Sequence, residues 1–91
     1  MCELIVHKRI HREHTELAPE DVIFAWHHSY YEALREDSPN FPEYLWIGRD
    51  AKGRELEMVG TMTDRGWLIY HANTPISASV KKEIKRNERR R

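Results

Sequence analysis

The sequence predicts an α+β fold: two N-terminal helices, a small antiparallel meander of three to four strands, and a C-terminal helix. Three observations lead there. Apolar residues recur at helical spacing over the first third of the chain, alternate with period two from Glu43 onward, and return to helical spacing after Pro75. Turn chemistry at Asp50-Ala51-Lys52-Gly53 and Asp64-Arg65-Gly66 cuts the middle into pieces of strand length. At 91 residues, 40% hydrophobic and 33% charged, the chain has material for one core, so residues 1–91 are read as a single domain.

Glu3 to Val6 reads as a brief extended segment, and His7 to His14, free of Gly and Pro, as a short helix. At about 100° per residue, His7, Ile10, His11 and His14 fall within roughly one quadrant of that helix, with Leu17 near its edge. Pro19 suits the first position of a second helix, and Glu20 and Asp21 put negative charge against its exposed amides. Val22, Ala25, Trp26 and Ser29 follow at i, i+3, i+4 and i+7, with Trp26 as the core anchor and His27-His28 turned onto the last carbonyls.

A strand is expected over Tyr31 to Arg35, and Ser38-Pro39-Asn40-Phe41-Pro42 is loop because two prolines interrupt it. Tyr44 to Arg49 and Arg54 to Thr63 form an antiparallel hairpin across the Asp50–Gly53 turn. Trp67 to Ala72 makes the next strand, with Trp67, Ile69 and His71 on one face and Leu68, Tyr70 and Ala72 on the other. Gly48 and Gly60 interrupt strand patterns and mark bulges or close backbone approach. Thr74-Pro75 is a capping hydroxyl followed by proline, and Ile76, Val80 and Ile84 form the stripe that docks the last helix.

Composition excludes several classes. The chain is too apolar for a disordered tail, and no stretch approaches the roughly 20 apolar residues of a membrane span. Met1 to Ile10 lacks the pattern of a secretory signal, so a cytoplasmic protein with no membrane contact is expected. One cysteine, Cys2, rules out an internal disulfide framework. The overall charge is zero but unevenly spread. In the tail 81–91, Lys81, Lys82, Lys85, Arg86, Arg89, Arg90 and Arg91 stand against Glu83 and Glu88, a net +5 that leaves −5 on the rest. Lys81, Lys82, Lys85 and Arg86 are read either as cations suited to the negative pole of a helix or as an arm for RNA, DNA or an acidic partner.

Two constellations carry chemistry. His7, His11 and His14 at i, i+4 and i+7 share a helix face, as zinc ligands do, but the Glu of the zinc-protease helix is missing and no metal is assigned. Imidazoles titrate near neutrality, so they equally fit proton transfer or surface packing. Arg49 ends one strand, Arg54 begins the next, and His71 lies near the end of the third. Arginine beside histidine suits phosphodiester cleavage, the fork stabilising charge on phosphate oxygens while a base and an acid move protons. The same arginines also fit hairpin pairing with Asp50, Glu55 or Glu57.

Local strings then point to a family. His11-Arg12-Glu13-His14, Leu17-Ala18-Pro19-Glu20-Asp21-Val22, Leu45-Trp46-Ile47-Gly48-Arg49, Gly53-Arg54-Glu55-Leu56-Glu57-Met58 and Ile69-Tyr70-His71-Ala72 resemble the BrnT-type toxins, a branch of the RelE-like toxins of bacterial type II toxin–antitoxin systems. The resemblance spans roughly residues 5 to 85. It implies a metal-independent, cofactor-free endoribonuclease acting on RNA and inhibited by a tightly bound antitoxin of ribbon-helix-helix type, with which it can form an oligomer. Arg49 falls on the family's strand-ending Ile-Gly-Arg and Arg54 on its arginine after the hairpin glycine. Asn73 stands where the family often has an arginine, and the body is acidic where such toxins are commonly basic.

The expectation is an RNA-cleaving toxin in which His11, His14 and His71 are acid–base candidates and Arg49 and Arg54 hold phosphate. The alternative is a non-catalytic module on the same fold that binds a protein or nucleic acid through its sheet or basic tail.

Overall fold

The computed structural model describes residues 3–89. In chain order it contains β1 (Glu3–Val6), α1 (Arg9–Glu13), α2 (Pro19–His27), β2 (Ser29–Leu34), β3 (Tyr44–Arg49), β4 (Glu55–Thr63), β5 (Gly66–Asn73) and α3 (Ala78–Arg89). The strands form one sheet in the order β1-β5-β4-β3-β2. The α+β class holds, but the meander of three to four antiparallel strands becomes a five-stranded mixed sheet.

The extra strand is β1, which lies parallel to β5 with Glu3 beside Gly66 and Val6 beside Ile69. Gly66 has φ +133°, and a Cβ there would collide with the backbone of Glu3, so glycine is what lets the first strand approach. β2 runs over Ser29–Leu34, two residues earlier than expected, because the helix before it stops at His27.

Each sheet face has its own cover. Trp46, Leu56, Met58, Ile69 and Ala72 point to α1 and α2 and pack with Ile10, Leu17, Val22 and Ala25. Leu45, Ile47 and Val59 point to α3 and pack with Ile76 and Val80, with Ile84 completing the stripe. Each fully buried side chain of this size contributes about 1.5–3 kcal/mol. Gly48 sets how close α2 comes, since a Cβ there would strike the carbonyl oxygen of Ala25. Trp26 is half-buried and joins an aromatic cluster with Trp46 and Trp67 at ring-centroid distances of 5.7 and 6.1 Å.

Helix ends depart from the sequence reading. α1 is five residues, not eight, so His7 precedes it and His14 is its C-cap. At α2 the Ala18 N–H donates to the Asp21 carboxylate at 2.9 Å, and the Nδ1–H of His28 donates to the Phe24 carbonyl at 2.8 Å. The last helix is not capped by Thr74, whose hydroxyl donates to the Glu55 carbonyl at 2.8 Å. Ser77 caps it instead, its Oγ accepting the Val80 N–H at 3.4 Å and its carbonyl the Lys81 N–H at 3.0 Å. No helix of the described residues is long and apolar enough to cross a membrane.

Candidate active site

The site begins with a bulge. Pairing between β4 and β5 passes from Gly60 with Ile69 to Val59 with His71, so Tyr70 has no partner opposite it. Strict alternation would place His71 with Ile69 and Ala72 with Tyr70. The extra residue reverses this: Ala72 joins Ile69 in the core under α1 and α2, while Tyr70 joins the core under α3. His71 turns with Tyr70 and meets Glu57 of β4, its Nε2–H donating to Oε2 at 3.1 Å.

Glu57 is a carboxylate inside an apolar strand, its side chain only 5% exposed. Its other oxygen accepts the Ser77 N–H at 2.6 Å, tying it to the entry of α3. Burial alone would push this carboxyl up, but hydrogen bonds from His71 and Ser77 hold it below the usual glutamate range. It therefore stays ionised and acts as an orienting acceptor. In neutral His71 the proton sits on Nε2, facing the carboxylate, and Nδ1 keeps its lone pair. The His71 side chain is 43% exposed, accessible to a substrate.

Around this pair lies a cleft of about 510 Å³ lined by Arg9, Glu57, Tyr70, His71, Asn73 and Ser77 among others. His14 stands beside His71, their rings edge to face with centroids 6.5 Å apart. The Tyr70 hydroxyl donates to Glu43, which also accepts from Ser38 at 3.0 Å and from Arg35 at 3.2 Å. Arg35 closes the chain with a two-pronged pair to Glu83, both bonds 2.9 Å. Burial raises the Tyr70 phenol well above its ordinary range, and Glu43 adds to the shift, so Tyr70 is a hydrogen-bond donor and no proton source. A larger concavity of about 720 Å³, between β2 and the C-terminal half of α3, contains no histidine.

The strand-end arginines divide. Arg54 faces the opposite side, toward the start of α2. Its Nε donates to Asp50 at 2.8 Å, one Nη to the Glu16 carbonyl at 3.0 Å and the other to Asp21 at 3.2 Å. Asp50, with a side chain 0% exposed, also accepts the backbone N–H groups of Lys52 and Arg54 at 3.0 and 2.9 Å. Burial opposes the Asp50 charge, and these bonds overcome it, holding the carboxyl below its ordinary value. Arg54 thus pairs with Asp50, as the structural reading of the hairpin allowed, and is not grouped with His71. Arg49 is 61% exposed, pairs with Glu55 at 3.7 Å, and is separated from His71 by Glu55 and Glu57 on β4.

Of the three acid–base candidates, His14 and His71 meet and His11 does not; His11 is exposed and donates its Nδ1–H to the Leu17 carbonyl at 2.8 Å. The helical histidine triad dissolves because α1 is too short to carry it, and among the described residues no group of three His, Cys, Asp or Glu is arranged to hold a metal. Cys2, Arg90 and Arg91 lie outside the described residues. Lys81, Lys82, Lys85 and Arg86 are exposed on α3 and form no ion pair among the described residues.

Sequence reasoning missed Glu57 as the partner of His71, although a carboxylate between Leu56 and Met58 on a strand whose apolar neighbours are buried is a detectable signal. No local pattern singles out Arg9, which the fold brings into the lining of the cleft. No family model, no curated protein and no solved structure gives a significant match to this chain.

Proposed function

We propose that this chain is an endoribonuclease of the toxin type, needing no metal, in which His71 and His14 share the acid–base work. The observation that carries the reading is a carboxylate-oriented imidazole on the wall of a cleft, with a second imidazole edge to face beside it, ring centroids 6.5 Å apart. That span is suited to one phosphodiester. Nδ1 of His71 takes the ribose 2′ proton, the 2′ oxygen attacks phosphorus, and the bond to the 5′ oxygen breaks. Protonated His14 gives its proton to that leaving oxygen, so the products are a 2′,3′-cyclic phosphate and a free 5′ hydroxyl. Glu57 keeps the His71 tautomer and steadies the imidazolium that forms, as a buried carboxylate does in other catalytic pairs.

The resemblance to BrnT-type toxins supports the biological setting: an antitoxin of ribbon-helix-helix type that binds the toxin and silences it. Induced expression without such a partner should arrest growth and fragment cellular RNA. His71→Ala should abolish both. Wild-type protein that leaves growth and RNA intact would end the reading.

One observation favours the non-catalytic alternative: Arg54, a phosphate-holding candidate, is engaged in structure on the far face. RNA retained by the purified wild-type chain but never cut would select that alternative.

A further inference from the structure

The bulge at Tyr70 has a second effect, on the chain that crosses beside it. Without a partner in β4, and beyond the last β1 pair at Ile69, Tyr70 has a carbonyl outside the sheet ladder. Arg9 takes it, donating Nε at 3.2 Å. The backbone N–H of Arg9 donates to Nδ1 of His7 at 3.1 Å, and the His7 N–H donates to the Ile69 carbonyl at 2.9 Å. Arg9 is therefore held at its backbone and again at the neck of its guanidinium, on the wall of the cleft that contains His71.

The two Nη groups of Arg9 have no hydrogen-bond or carboxylate partner among the described residues. The cleft's other guanidinium, Arg35, is fully engaged by Glu43 and Glu83. Its two carboxylates are also answered, Glu57 by His71 and Ser77, and Glu43 by Arg35, Tyr70 and Ser38. The charged residues lining the cleft, Arg9, Arg35, Glu43 and Glu57, cancel when His71 is neutral; Glu83, which holds Arg35 from outside the lining, adds one negative charge to the network. The donors left without a partner are those of the Arg9 fork; the Asn73 amide donates to the Pro75 carbonyl at 3.3 Å, and the Ser77 and Ser79 hydroxyls bond to each other at 3.2 Å. A planar fork with both prongs free and its neck fixed matches two oxygens of a tetrahedral anion.

We propose that Arg9 is the phosphate anchor of this cleft, holding a phosphodiester of a nucleic acid strand against His71, the role the sequence reading gave to Arg49 and Arg54. The anchor deepens the cleavage reading and rests on it for the identity of the strand; the anion site itself rests on the geometry of Arg9 alone.

The test uses the full chain with two probes, inorganic phosphate and a short 2′-deoxy oligonucleotide that cannot be cut, followed by NMR at the His71 imidazole and the Arg9 side chain. Both probes should shift both signals in wild type. Arg9→Gln should weaken the oligonucleotide about tenfold or more and lower the slope of log affinity against log salt by about one. Arg9→Lys keeps the charge but loses the fork, so the salt slope should persist while affinity falls about threefold or more. It also serves if Arg9→Gln does not fold.

Wild-type affinity in either folded variant overturns the proposal, as does a wild-type protein that binds phosphate but not the oligonucleotide, or neither. The two ideas fail separately. Arg9-dependent binding with RNA left intact removes the cleavage reading and keeps the anchor; equal RNA cutting by wild type and Arg9→Gln removes the anchor and keeps cleavage.

Discussion

Arg54 and Arg9 each reach across the fold to a backbone carbonyl, Glu16 for one and Tyr70 for the other, and differ in what the rest of the guanidinium meets. Arg54 is met by Asp50 and Asp21, so nearly every donor is used within the protein. Its surroundings lock the β3–β4 turn to the first turn of α2. Arg9 is met by a single carbonyl and keeps its fork. His71 likewise has one buried partner on Nε2 and an exposed ring. The contrast teaches that residue type at a strand end says little about role. A satisfied polar network builds structure, whereas a group fixed at one atom and free at the next is equipped for a ligand.

The largest effect is expected at Asp50. Asp50→Ala strands a partly buried guanidinium and two backbone N–H groups, and should cost about 3–5 kcal/mol of stability by denaturant unfolding. A loss below about 1 kcal/mol would show that the Arg54 region is not the structural end. His71→Ala should do the reverse: native stability within about 0.5–1 kcal/mol, and RNA cleavage reduced by about 10²-fold or more, as expected for removal of a general base. A His71→Ala protein that cuts RNA at the wild-type rate removes this residue from the chemistry.

Acid sharpens the same contrast. Glu57, Glu43 and Asp50 all have carboxyls held below their ordinary values in the folded chain. A depressed folded-state value means that the stabilisation is complete above the unfolded value, about 4.3 for glutamate and 3.9 for aspartate, and is lost as pH falls through the folded value. Unfolding free energy should therefore drop steadily as pH is lowered below about 4.3, and Glu57→Gln should shallow that dependence measurably in thermal melts. An unchanged slope would mean that Glu57 is not ionised in the native state. The smallest effect is expected at Arg49, whose exposed pair with Glu55 is worth about 0–1 kcal/mol; Arg49→Ala should leave the melting temperature and RNA cleavage almost unaltered. A large loss of cleavage in Arg49→Ala would restore it to the site.

Much of the architecture is legible one segment at a time. Pro19-Glu20-Asp21 marks the start of α2, the turns at Asp50–Gly53 and Asp64–Gly66 bracket β4, and Ile76, Val80 and Ile84 do line the face of the last helix that meets the sheet. The glycine signals were informative too: Gly48 permits the close approach of α2, and Gly60 sits where the register shifts. The site was read less well. His14 and His71 do approach one another, but the alternation expected along β5, which put His71 on the face of Ile69, is reversed by the bulge beside Gly60. One inserted residue reverses the faces of everything after it. The pairing of β1 with β5 was invisible because 59 of the 91 residues, 7–65, lie between the two strands.

Composition, hydrophobic period and turn chemistry determined that this chain makes one α+β domain with a hairpin at its centre and an amphipathic helix at its end, since these depend on forces acting between near neighbours. Tertiary structure alone decided which polar groups are used up and which remain free. That choice turns on where a strand bulges and what approaches from distant sequence: β1 and α1 bring Arg9 to the Tyr70 carbonyl, and α2 brings Asp21 to Arg54. Desolvation and pairing at such long-range contacts are what separate an arginine that holds the fold from one that can hold a phosphate.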